Sequence, residues 1–97
     1  MKLHFTELAA NDIEGIHAYL VARSPMGARN VQLAMQSTFT QLAEFPYLGR
    51  AQTSPNLRKL GVARYPYSVY YTFDEQAEEI VIITVRHTSR APEFYDT

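Results

Sequence analysis

The sequence predicts an α+β fold, a two-helix hairpin packed on a small antiparallel sheet, and three patterns carry that prediction. Apolar residues recur every three or four positions over residues 9 to 20 and again over 31 to 45, which is helical spacing. Apolar and polar residues alternate over 57 to 63 and over 67 to 73, which is strand spacing. Ile80 to Val85 is apolar at nearly every position, as suits a central strand covered on both faces. The order strand, helix, helix, then three strands gives two layers around one core.

Taken in order, Leu3 to Thr6 alternates weakly and reads as a short strand. Ala9, Ile13, Ile16 and Leu20 form one stripe of the first helix, with Thr6 as N-cap and Glu7 near the positive end of the helix dipole. That helix should end near Ala22 or Arg23. Ser24 and Pro25 then supply a cap and a first-turn proline for a second helix, leaving about three residues between the two. Its stripe is Val31, Met35, Thr38, Leu42 and Phe45, and Pro46 stops it. Tyr47 to Asn56 reads as a loop, Leu57 to Ala63 as a strand, and Arg64, Tyr65 and Pro66 as a turn. Tyr67, Val69, Tyr71 and Phe73 share one face of the next strand, and the acidic residues 74 to 79 make the tip of a hairpin into the last one. Strict alternation there puts Val81, Ile83, Val85 and His87 on one face and Ile80, Ile82, Thr84 and Arg86 on the other.

Ninety-seven residues, 46 % of them hydrophobic and 20 % charged, suit a single domain over residues 1 to 97 that needs no metal or disulfide to fold. Cysteine is absent, which excludes a disulfide framework or a thiolate metal site and suits a reducing cytoplasm. No stretch approaches the roughly 20 apolar residues that span a bilayer, so a soluble cytoplasmic protein with no membrane partner is expected. The net charge of −1 conceals a segregation. Arg50, Arg58, Lys59 and Arg64 occur without an acid over residues 50 to 73, whereas Asp74, Glu75, Glu78 and Glu79 crowd residues 74 to 79. A near-neutral whole argues against a protein built to bind nucleic acid.

Ala9, Asp12, Ile13, Ile16 and Tyr19 begin an ordered pattern that continues with Leu42, Pro46, Gly49 and Arg50. Arg58, Leu60, Val62, Tyr65, Pro66, Tyr67 and Tyr70 follow, and Ile82, Val85, His87 and Arg90 close it. Together these residues, spread along nearly the whole chain, resemble the RelE/ParE superfamily of type II toxins, and more so its ParE-like branch. The resemblance implies a RelE-like β-α-α-β-β-β fold and a bacterial toxin encoded beside an antitoxin, ParD-like or other, that silences it. ParE-like members are held to poison DNA gyrase. RelE-like members enter the ribosome and cut mRNA, with the RNA 2′-hydroxyl attacking the neighbouring phosphate. One scaffold carries both activities, so fold does not choose between them.

RNA cleavage of that kind needs an acid or base and cations around the phosphorane. Arg64, Arg86, His87 and Tyr95 are the candidate set, His87 because its ordinary pKa lies near neutrality. Alternation sends Arg86 and His87 to opposite faces, so the two converge only if the strand bends or ends there. The competing expectation is a surface for the antitoxin or the target, formed by Arg50, Arg58, Arg64, Tyr65, Tyr70, Arg86, His87 and Arg90. Tyr67 and Tyr71 are expected in the core. Tyr70, with Tyr65 and Tyr47, is expected to line a groove for an antitoxin tail. His4 and His17 have no ligand partner at useful spacing, so neither a metal nor a cofactor is expected.

Overall fold

The computed structural model describes residues 1–88. Seven elements follow one another: β1 (Lys2–Phe5), α1 (Glu7–Arg23), α2 (Pro25–Glu44), β2 (Arg50–Ala51), β3 (Arg58–Gly61), β4 (Tyr67–Asp74) and β5 (Glu79–His87). The caps are those the sequence predicts. Thr6 Oγ1 accepts the Ala9 N–H at 3.0 Å. Ser24 serves both helices, its N–H donating to Leu20 O at 2.7 Å while its Oγ accepts the Gly27 N–H at 3.0 Å. One residue therefore joins the helices, where about three were expected, because a single side chain satisfies the end of one helix and the start of the next.

Val31, Met35, Thr38 and Leu42 are buried as their spacing requires, with Ala28 added to the same stripe. Phe45 is not: it is the C-cap, its backbone has left the helical conformation, and it is 57 % exposed. On α1 only Ala9 is fully buried, while Ile13, Ile16 and Leu20 are half-buried beside the core.

The sheet has five strands in the order β1-β5-β4-β3-β2. β3, β4 and β5 form the expected antiparallel meander. Two features depart from an antiparallel sheet of four strands. β1 pairs parallel to β5, from Lys2 opposite Glu79 to Phe5 opposite Ile82, which makes the sheet mixed and β5 internal. A parallel neighbour needs a long crossover, and the helical hairpin is part of it. At the other edge Arg50 and Ala51 pair with Lys59 and Arg58, inside the stretch expected to be loop. Two residues are too few for alternation to reveal; the pairing partner creates the strand.

A register shift between Tyr70 and Tyr71 breaks the alternation predicted for β5. Tyr67, Val69, Tyr71 and Phe73 lie opposite His87, Val85, Ile82 and Ile80. Cross-strand partners share a face, so Ile80 and Ile82 lie on one side with Val85 and His87, and Ile83 is the extra residue. That side carries the core, where Tyr71, Val69, Ile80, Ile82 and Val85 meet Val31, Met35 and Leu42 of α2.

The phenol of Tyr71 ties the chain after α2 to the sheet. Its hydroxyl donates to Pro46 O at 2.7 Å and accepts the Gly49 N–H at 2.8 Å. A Cβ at Gly49 would stand 2.7 Å from that hydroxyl and 2.9 Å from Lys59 O. Gly49→Ala should therefore cost about 1–3 kcal/mol through overpacking, and Tyr71→Phe a similar amount by leaving the Gly49 N–H buried and unpaired. Urea unfolding of the two variants measures both losses.

Candidate functional site

The candidate residues gather at two ends of the sheet. At the first, the turn carrying Arg64 and Tyr65 meets the end of β5: Thr88 N–H donates to Pro66 O at 2.7 Å, and the Tyr67 and His87 rings meet edge to face at 5.7 Å. Arg64 is exposed and sits at φ 74, a conformation that disfavours residues with a side chain. Tyr65 is half-buried against the core. Arg86 lies opposite Ser68 and His87 opposite Tyr67, so the two leave the strand on opposite faces. Arg64, Arg86 and His87 thus share an end of the sheet, while Arg86 and His87 do not converge. Arg90 and Tyr95 lie outside the described residues.

At the second end, Arg58 Nη1 donates to Gly49 O at 2.7 Å, and its guanidinium stands 5.0 Å from the Tyr47 ring and 5.9 Å from that of Phe73. Backbone and rings hold Arg58 in place, and no carboxylate among the described residues pairs with it. The Tyr47 hydroxyl donates to Glu75 Oε1 across the mouth of a hollow of about 670 Å³ between the loop after β2 and the acidic hairpin tip. Arg50 is exposed on β2 beside Lys59. The ion pair found among the described residues is His4 with Glu79, at 3.5 Å.

The three tyrosines expected to line one groove do not. Tyr47 and Tyr65 stand at opposite ends, and Tyr70 is 6 % exposed in the middle of β4, with β3 on one side and β5 on the other. An apolar groove lies instead between the helices. It measures about 570 Å³, with Ile13, Ile16 and Leu20 of α1 on one wall, Val31, Met35 and Phe39 of α2 on the other, and Glu14, His17, Gln32 and Gln36 among its polar residues. Phe5 closes one end, its ring 5.1 Å from that of Phe39.

Asp12 and Thr84 escaped the reading of the sequence as site residues. Asp12 Oδ2 accepts from the Thr84 hydroxyl and, at 3.1 Å, from the Val85 N–H, and Thr84 Oγ1 accepts from Arg86 Nε at 3.1 Å. An acid on the first helix and a threonine in an apolar strand carry no shared pattern; the fold alone joins them across 72 positions. Among the described residues no group of three or more potential metal ligands occurs, and no helix is long and apolar enough to cross a membrane.

Fold and sequence comparisons agree on the class. A family model described as the ParE toxin of the type II toxin-antitoxin system, parDE, matches residues 3–92. Toxin RelE2 of Caulobacter vibrioides is 33% identical over 87 residues, 89% of this chain and 93% of that protein. Among solved structures, a chain of the chromosomal ParDE system from P. aeruginosa superposes with a TM-score of 0.74 at 23% identity, covering 90% of this chain and 95% of that one. The isolated E. coli RelE toxin superposes with a TM-score of 0.69 at 18% identity, covering 97% and 89%. These likenesses define a type II toxin of the RelE/ParE superfamily. Within it, the chain belongs to the ParE toxin family.

Two phenols tie stability to alkaline pH. The bond to Glu75 raises the Tyr47 pKa above 10.0, with the Glu75 charge adding to it. Burial raises that of Tyr71, and the Gly49 N–H and Arg58 pull partly against it. A pKa raised on folding contributes stability that is complete below the unfolded value and is lost as pH climbs through the folded one. The urea midpoint should therefore fall above pH 10, and Tyr71→Phe, less stable at pH 8, should lose less over that range.

Proposed function

We propose that the chain is a ParE-like toxin that arrests growth by binding DNA gyrase, with no chemistry of its own, and that a cognate antitoxin, ParD-like or other, silences it. The observation that carries this reading is the divergence of Arg86 and His87 onto opposite faces of β5, which separates a cation from the candidate proton donor that RNA cleavage needs beside it. The match to a ParE family model over residues 3–92 supports it. Residues 1 to 97 then act as one toxin domain in the cytoplasm, where gyrase works.

The antitoxin tail fits the groove between α1 and α2. Its apolar walls suit the face of an amphipathic helix, and the free edge of β1 beside Phe5 suits an extended segment running on from it. Solved relatives include the intact E. coli RelBE toxin-antitoxin complex, whose toxin fold matches with a TM-score of 0.70 at 16% identity. Arg50 and Arg58, on β2 and β3 at the opposite edge of the sheet from β1, would meet acids only of a tail that crosses the sheet.

A second reading, a ribosome-dependent mRNA endonuclease, draws on the 33% identity to a protein named Toxin RelE2 and on the nearness of the Arg64 turn to His87. A third is a relative that binds its antitoxin and poisons nothing. Expression without antitoxin separates them. The gyrase reading expects growth arrest with an SOS response and slowed supercoiling by purified gyrase, and it fails if gyrase is untouched while transcripts are cut at ribosomes. In a nuclease His87→Ala should abolish toxicity while leaving folding and antitoxin binding intact, so full toxicity of that variant removes the second reading, and a harmless wild-type chain supports the third. Ile16→Glu, which places a charge in the groove, should weaken antitoxin binding at least about tenfold while leaving toxicity intact, as calorimetry against the purified antitoxin would measure.

A further inference from the structure

Arg86 is held by a chain of hydrogen bonds that begins on the other layer of the fold. A hydroxyl has one proton, and Thr84 gives it to Asp12 Oδ2, leaving its lone pairs for the Arg86 Nε–H at 3.1 Å. The direction of donation is therefore fixed, from Arg86 to Thr84 to Asp12. The carboxylate at its end polarises the buried hydroxyl and makes it a better acceptor. Asp12 is itself anchored by the Val85 N–H, a backbone group on the half of β5 that β1 does not reach.

Holding Nε fixes the plane of the guanidinium. Among the described residues the two Nη groups have no hydrogen-bond partner, and the residue is partly exposed. An arginine held in this way offers paired Nη donors, the fork that matches a carboxylate or phosphate. With a net charge of −1 on the chain and an acidic hairpin tip on the same sheet, a single fork suits a protein carboxylate better than a polyanion.

We propose that Asp12 is a positioning residue that acts through Thr84 to aim Arg86 at a carboxylate on the surface of the toxin's protein target. This rests on the reading that the chain acts by binding gyrase. Thr84→Val keeps the shape of the side chain and removes the hydroxyl, and Thr84→Ser keeps the hydroxyl. In 15N-labelled protein the Arg86 Nε–H should exchange with solvent at least about tenfold more slowly in the wild type and Thr84→Ser than in Thr84→Val and Asp12→Ala. Equal rates in the wild type and Thr84→Val overturn the relay.

Affinity for purified gyrase without DNA supplies a readout that a purely structural role would not move. Thr84→Val and Arg86→Ala should each weaken binding about tenfold, and the double variant should bind no worse than Arg86→Ala alone. Losses that multiply to about a hundredfold make Thr84 a matter of stability and overturn the proposal. Arg86-dependent binding seen only with DNA or an RNA oligonucleotide present overturns the carboxylate. A wild-type chain that leaves gyrase untouched sinks the gyrase reading instead, and the exchange rates together with the same cycle read as growth arrest then decide the relay.

Discussion

Every backbone group of β5 needs a partner on both sides, and β1 supplies one for only half its length. β1 pairs as far as Ile82, and Thr6 N–H completes that stretch. Beyond it the edge would lie open, and an open edge invites pairing with another chain. The start of the first helix closes it: the Thr6 hydroxyl donates to Ile83 O, and Asp12 accepts from Val85 N–H. Thr6 therefore caps α1 with one lone pair and seals the sheet with its proton. The position of α1, the burial of Thr84 and the restraint on Arg86 all depend on this substitution of side chain for strand.

The register shift at Tyr70 and Tyr71 belongs to the same arrangement. One extra residue in β5 turns Val85 into the core beside Val69 and leaves Thr84 available to Asp12. It also decides which face Arg86 and His87 each occupy. Without it, Arg86 would follow Ile80 and Ile82 toward the helices, where a guanidinium would be buried at considerable cost. With it, the apolar residues stay inside and the cation faces outward, as bulges near functional surfaces often arrange.

The fold separates two kinds of surface. The groove between α1 and α2 is apolar with a polar rim, while the arginines stand at the ends of the sheet, Arg58 against Tyr47 and Phe73 and Arg64 on an exposed turn. A tail lying between the helices would leave the end near Arg86 and His87 uncovered unless it continues across the sheet. On the proposed function, neutralisation and target binding would use different residues, the apolar groove setting affinity and the charged positions specificity.

Much of the fold was legible because it rests on local rules. Thr6, Ser24 and Pro25 announce helix ends, the spacing of Val31, Met35, Thr38 and Leu42 announces a buried stripe, and Tyr67 to Phe73 announces a strand. Phe45 continued the arithmetic of its stripe and yet lies exposed, since capping geometry overrides periodicity at a helix end. Sequence alone determined the two helices, the longer strands and their order, the apolar stripes of the helices, the core face of β4 and the family, because each of these is written in neighbours a few positions apart. Only the tertiary structure decided the parallel pairing of β1, the bulge that sets which face Arg86 and His87 each take, the site of the groove and the bonding of Asp12 to Thr84. Those are contacts between residues dozens of positions apart, and no local period encodes them.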